Sequence, residues 1–202
     1  MKWFSWKRKK KTPYGDDYPD SIPYVGSKGG RRKFIPVKPP QKYYLPFSVL
    51  KSTNNVFKTY ANRRAEAYAW WAGYIVNGDM AQICTVLYPN IKTRYGHIHL
   101  DRQILGSMHR RLIDLDQILL VELHTHPPGA GGQNDVDAAN STLFYEGFKA
   151  IVVPDFGLPN FYDLRRCHVY SYIGSSRWHE MDVYEISNCF VIDKTCSEVK
   201  PK

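Results

Sequence analysis

The chain has 202 residues, 43% of them hydrophobic, and a formal net charge of +9. That length suits one domain with a real core plus appendages, and no stretch reaches the roughly 18 apolar residues a membrane-spanning helix needs. The charge is confined to one end: residues 1–45 hold twelve Lys/Arg against three Asp, while the 16 basic and 16 acidic residues that follow cancel.

Residues 1–45 are rich in Pro, Gly, Lys and Tyr and lack helical or strand periodicity, so they read as a largely irregular, extended basic arm. Its first eleven residues carry charge with no apolar segment behind them, unlike a secretory signal. Trp3, Phe4 and Trp6 interleave with Lys2 and the cations at 7–11, a composition that suits contact with nucleic acid or an anionic membrane surface. The plainer reading of the arm is a solvated tail. Pro36, Pro39, Pro40 and Pro46 favour extended backbone ahead of the domain.

From Phe47 the texture changes. Val49 to about Ala65 predicts an amphipathic helix. Residues 67–76 are almost all apolar or aromatic, as in a strand buried on both faces. Residues 82–88 follow as a second strand after the Asn77-Gly78-Asp79 turn, and 95–100 alternate as a third. Asp101 is placed to cap a helix through Leu105, Met108, Leu112 and Leu115. Residues 118–126 form a central strand, 136–148 a helix and 150–154 a buried strand. The segment 166–186 reads as short strands punctuated at Gly174-Ser175-Ser176. This order predicts an α/β domain over 46–187, a mixed sheet flanked by helices, with 188–202 as a tail. Cys84, Cys167, Cys189 and Cys196 form no C-x-x-C pair, so they predict idle thiols and a reducing cytoplasm rather than a disulfide frame or zinc knuckle.

The run from Glu122 to Asp137, Glu-Leu-His-Thr-His-Pro-Pro-Gly-Ala-Gly-Gly-Gln-Asn-Asp-Val-Asp, carries the chemistry. His124 and His126 are two residues apart on a strand and therefore project from one face. A Gly/Pro-rich turn follows, able to fold back and bring Asp137 to the same place. Two imidazoles and one carboxylate are three ligands. That count leaves a position open on a zinc ion, which marks catalytic sites rather than structural ones. Asp135 fits the acidic first turn of the next helix instead. His97 and His99 also make a His-x-His, but with no Pro-Gly turn or third ligand behind it. They predict one face of a half-exposed strand.

The pattern His124-x-His126-Pro127, six residues, Asn134, two residues, Asp137 resembles the JAMM motif of JAB/MPN+ metalloproteases. That family includes zinc isopeptidases that cleave ubiquitin and ubiquitin-like tails from lysines. The resemblance covers roughly 48–185 and implies an MPN/JAB-type α-β-α sandwich. It also implies one zinc per chain held by His124, His126 and Asp137, and a glutamate general base at the junction of the first helix and first strand. Here that is Glu66, followed by Ala69 and Gly73 at small-residue positions. By itself Glu66 reads better as a helix-end residue paired with Arg63 or Arg64; beside the motif, the base is favoured. Asn134 stands where the family usually has the Ser that supports the oxyanion; an amide can donate to the same charge, and Asn is also a good helix N-cap. Glu122, on the face of the histidines, either orients a ligand or pairs with a basic neighbour.

Residues 152–157, Arg166–Tyr170 and Arg177-Trp178 resemble the C-terminal part of bacterial JAB proteins that occur beside ubiquitin-like proteins and their activating and conjugating enzymes. The implied function is a cytoplasmic zinc isopeptidase acting after the C-terminal tail of a bacterial ubiquitin-like protein, in deconjugation or in precursor maturation. Its partners would be that tail or its conjugate and the enzymes of the same system. The alternative is a catalytically idle JAB scaffold whose basic aromatic arm binds nucleic acid or an anionic membrane.

Overall fold

The computed structural model describes residues 39–76, 78–89, 98, 100–143, 145–157 and 161–194. Its elements run β1 (Lys42–Pro46), α1 (Phe47–Ala61), β2 (Tyr68–Ile75), β3 (Met80–Leu87), α2 (Arg102–Asp114), β4 (Ile118–Thr125), α3 (Asp135–Asn140), β5 (Lys149–Val153), β6 (His168–Tyr172), β7 (Trp178–Glu180), α4 (Val183–Cys189) and β8 (Phe190–Asp193). The strands make one sheet in the order β7-β6-β5-β4-β2-β3-β1-β8. The sheet is mixed: β4/β5, β1/β3 and β1/β8 pair in parallel, and the other neighbours are antiparallel. No helix among the described residues is long and apolar enough to cross a membrane.

Adjacent tryptophans show how the sheet divides two cores. Side chains alternate along a strand, so Trp71 joins Leu50 and Phe57 of α1 with Ile83 and Leu123 on one face. Trp70 meets Met108 and Leu112 of α2 with Leu119 and Phe148 on the other. Trp71 donates its indole N–H to Thr53 Oγ1 at 2.8 Å, which answers a buried donor from within α1. Helices thus cover both faces of an α/β sheet, as the sequence predicts.

Strands of the sheet lie on both sides of the span 46–187. Lys42–Pro46, read as arm, is β1, with Tyr43 and Leu45 fully buried. Phe190–Asp193, read as tail, is β8 and pairs with β1. Prolines conceal β1, yet Pro46 closes the strand and its φ of −61° suits the N-cap of α1. The predicted helix over 136–148 is instead the six-residue α3. It stops because Ser141 and Thr142 turn inward to the buried Glu122: the Ser141 hydroxyl donates to Oε1 and the Thr142 N–H donates to Oε2 at 2.8 Å. The segment 166–186 holds the β6–β7 hairpin, turned at Gly174-Ser175-Ser176, where all three φ are positive. It then becomes helical in α4, capped by Asp182. The strand expected at 95–100, with His97 and His99, lies outside the described residues except for Ile98 and Leu100, as do residues 1–38 of the arm and Cys196. Cys84, Cys167 and Cys189 are free thiols.

The β2–β3 pairing slips by one residue between Ala72 and Gly73. A Cβ at Gly73 would sit 1.8 Å from the Gln82 carbonyl oxygen. Overpacking of this kind costs about 1–3 kcal/mol. Because backbone rather than a flexible side chain blocks the way, Gly73→Ala should fall near the top of that range, about 3 kcal/mol, read as a lowered urea midpoint.

Candidate metal centre

Strand β4 brings the histidines in. Every residue from Leu119 to Thr125 is buried, and the antiparallel register sets Tyr68 opposite His124. Past the end of β2, the Thr125 N–H donates to the Ala67 carbonyl at 3.0 Å and the Ala67 N–H donates to Thr125 Oγ1 at 2.8 Å. The same register carries Glu66 to the position opposite His126. Glu66 is buried, and its charge acts on His126, helping to raise the imidazole pKa.

His126 is fixed by its backbone and by its ring. Its N–H donates to the Val153 carbonyl at 2.9 Å, and its carbonyl accepts from Phe156 N–H at 2.7 Å. Phe156 belongs to a turn in which Asp155, Phe156 and Gly157 all have positive φ. Such backbone is strained for residues other than glycine. On the ring, Nδ1 donates to the Gly131 carbonyl at 2.8 Å, which directs Nε2 toward the other ligands.

Asp137 arrives through a capping box. Asn134 Oδ1 accepts from Val136 N–H at 2.8 Å and from Asp137 N–H at 3.0 Å, while the Asn134 N–H donates back to Asp137 Oδ2 at 3.0 Å. The same Oδ2 lies 3.2 Å from His126 Nε2 and 3.7 Å from His124 Nε2, and the two Nε2 atoms are 3.1 Å apart. Burial pushes the Asp137 carboxyl up, but hydrogen bonds from His124 and His126 outweigh it and leave the group well below the usual carboxylate range. The hydrogen bond to Asp137 is the chief cause that raises His126, against its burial.

Ligand atoms of His124, His126 and Asp137 all lie within 4.8 Å of one another, and the group could hold a metal ion. Zinc bonds of 2.0–2.2 Å in a tetrahedron imply ligand atoms about 3.4 Å apart. The three observed separations of 3.1, 3.2 and 3.7 Å bracket that value, so the donor set fits zinc in both chemistry and spacing.

No family model matches the chain, and no curated protein matches it. Solved structures do. Protein DSY2949 from Desulfitobacterium hafniense is similar over 75% of this chain and 93% of its own, at 11% identity and a TM-score of 0.52. What the two share is the fold. AF2198 of Archaeoglobus fulgidus, described as a JAB1/MPN domain protein, aligns over 74% of this chain and 98% of its own at 15% identity. Its TM-score is 0.41, and so loose a superposition carries no weight for chemistry.

Of the remaining expected residues, Asn134 is the N-cap and is exposed, with its amide nitrogen as the end that the cap does not use. Asp135 is exposed in the first turn, as expected. Among the described residues, Glu122 forms no ion pair with a basic side chain. It accepts from the Tyr68 hydroxyl at 3.3 Å, from Ser141 and from Thr142 N–H, so it holds the chain just beyond α3. Burial pushes its pKa up against those hydrogen bonds. Of the histidines without a pattern, His168 pairs with Glu180 at 2.7 Å, His179 with Glu185 at 2.9 Å, and His109 lies against the Trp70 ring at 4.9 Å. Sequence reasoning missed the part played by Tyr170: its hydroxyl accepts from Gln133 N–H at 3.0 Å, inside the loop between His126 and Asp137. Only the grouping of 166–170 with the JAB-like segments hinted at it.

Metal analysis checks the centre directly. Wild-type protein should carry about one zinc per chain, and His124→Ala none. Asp137→Asn should lose the ion, whereas Asp135→Asn should keep it.

Proposed function

We propose that this chain is a JAMM-type zinc isopeptidase with an MPN/JAB-type fold, cleaving the amide after the C-terminal tail of a ubiquitin-like protein. The observation that carries the reading is the convergence of His124, His126 and Asp137 ligand atoms at the end of β4, from residues spaced as in the JAMM motif. Three protein ligands leave a coordination position for chemistry.

His124, His126 and Asp137 would hold the zinc, which when bound supplies a Lewis acid able to polarise a carbonyl and acidify water. Glu66 acts as general base. Its buried carboxylate beside His126 takes the proton of the attacking water and hands it to the leaving lysine or backbone amine. Asn134 donates from its side-chain amide to the oxyanion of the tetrahedral intermediate, at the mouth of the site where α3 begins. The substrate tail lies extended, a form in which main-chain hydrogen bonds give affinity without demanding a folded epitope. The setting proposed is the cytoplasm, alongside the activating and conjugating enzymes of the same system.

The test is cleavage of a ubiquitin-like fusion by zinc-loaded protein. Cleavage should stop with a chelator and return with zinc. Glu66→Gln should retain the metal and lose about 10²–10⁴ in turnover, and Asn134→Ala about 10²–10³. Zinc binding together with full activity in Glu66→Gln would remove that residue from the mechanism.

A further inference from the structure

We propose that Tyr170, on β6, is a positioning residue of the metal centre: its hydroxyl fixes the Gly131–Gln133 backbone, and that backbone in turn fixes the His126 imidazole. The proposal rests on the reading of His124, His126 and Asp137 as zinc ligands.

Three contacts in sequence carry it. The Gln133 N–H donates to the Tyr170 hydroxyl oxygen at 3.0 Å. Gly132 lies so close to β6 that an added Cβ would meet that oxygen at 1.9 Å and His168 Cγ at 3.0 Å. One residue earlier, the Gly131 carbonyl accepts from His126 Nδ1 at 2.8 Å. An imidazole whose Nδ1–H is committed to a carbonyl offers Nε2 to a metal in a set orientation. The Tyr170 oxygen therefore decides where the Gly131 carbonyl stands, and the carbonyl decides where Nε2 points. The support under Tyr170 is itself braced. Tyr170 is paired with Glu180 across the β6–β7 hairpin, and Glu180 holds the His168 ring at 2.7 Å. Gly132 has to be glycine because only a residue without a side chain lets the loop come within reach of the hydroxyl.

Partners that orient metal-ligating histidines are typically worth about 10–100-fold in metal affinity. Tyr170→Phe keeps the ring and removes the acceptor. It should weaken zinc binding by about tenfold or more, measured by competition with a chromophoric chelator, with the thermal midpoint little changed. In the metal-free protein, the Gln133 amide should exchange with solvent faster than in wild type while the amides of β4 and β5 keep their protection. Gly132→Ala should also weaken zinc binding. In the Tyr170→Phe background the same substitution should cost less, because the hydroxyl that the new Cβ would strike is gone. Tyr170→Phe with zinc affinity within about twofold of wild type, or with unchanged Gln133 exchange, overturns the proposal; so do penalties for the two substitutions that simply add. Wild-type protein that binds no zinc overturns the metal reading itself, and unchanged Gln133 exchange beside normal zinc binding overturns only the role of Tyr170.

Discussion

The antiparallel pairing of β2 with β4 is the constraint from which the rest follows. Its register puts Trp70 opposite Glu122 and Tyr68 opposite His124, and its continuation brings Glu66 to His126. A slip of one residue in either strand would send that strand's side chains through to the other face. The histidines would then point into the core beneath α1, and Trp70 and Trp71 would exchange cores. Neither outcome is tolerable, since one buries imidazoles among Leu50 and Phe57 and the other repacks two of the largest fully buried side chains in the protein. Hydrophobic packing therefore enforces the register, and the register places the site. Side chains that never approach the triad do most of the positioning.

The centre is also held together from within. His126 donates from Nδ1 to the Gly131 carbonyl, and its Nε2 lies 3.2 Å from Asp137 Oδ2. For both nitrogens to donate, the ring must carry both protons, which agrees with the raised pKa that Asp137 imposes. A proton on His126 and a cation held by the triad would satisfy the same carboxylate in turn. Asp137 is a shared element in a second sense, because Oδ2 closes the capping box of α3 while it faces both imidazoles. The cap fixes the carboxylate, and the short helix in turn depends on it. Glu122 anchors the other end of α3 through Ser141 and Thr142. A helix of six residues is too short to persist by propensity, so these two carboxylates hold it from both ends.

The triad could be read from the sequence because it is local: twelve residues lie between His124 and Asp137, and period-two alternation with a Gly/Pro turn is enough to close them. The two-faced α/β sheet was readable for a similar reason, since β2 and β4 are nearly continuous apolar runs. What escaped rests on contacts without a residue-type signature. β1 pairs with β3 and with β8, the latter about 147 residues away, through a backbone ladder under the disguise of prolines, and the Tyr43–Phe190 ring stack and the Tyr44–Asp193 hydrogen bond that reinforce it follow from no local pattern. The end of α3 is set by a buried glutamate 19 residues upstream that captures a hydroxyl and an amide. No helical periodicity foretells that. Tyr170 reaches the loop between His126 and Asp137 through a backbone N–H 37 residues away, and neither partner advertises the bond.

Asn134 shows how a departure from the motif can be accommodated. A serine at this position has one side-chain oxygen. If that oxygen accepts from the amides at the start of α3, the same atom must also present its proton to an oxyanion. Asparagine divides the two tasks. Its Oδ1 takes both helix amides, Val136 N–H and Asp137 N–H, and its nitrogen keeps two protons for donation. The cap then holds the amide plane still, so that a donor aimed at developing charge needs little reorganisation, which is the condition under which such donors count most. The cost is reach, since the donor now sits one bond farther from the backbone than a hydroxyl on Cβ. On this geometry asparagine preserves the helix start and the carboxylate it carries, and under the proposed isopeptidase reading its effect on turnover would arise from where the nitrogen falls relative to the reacting carbonyl.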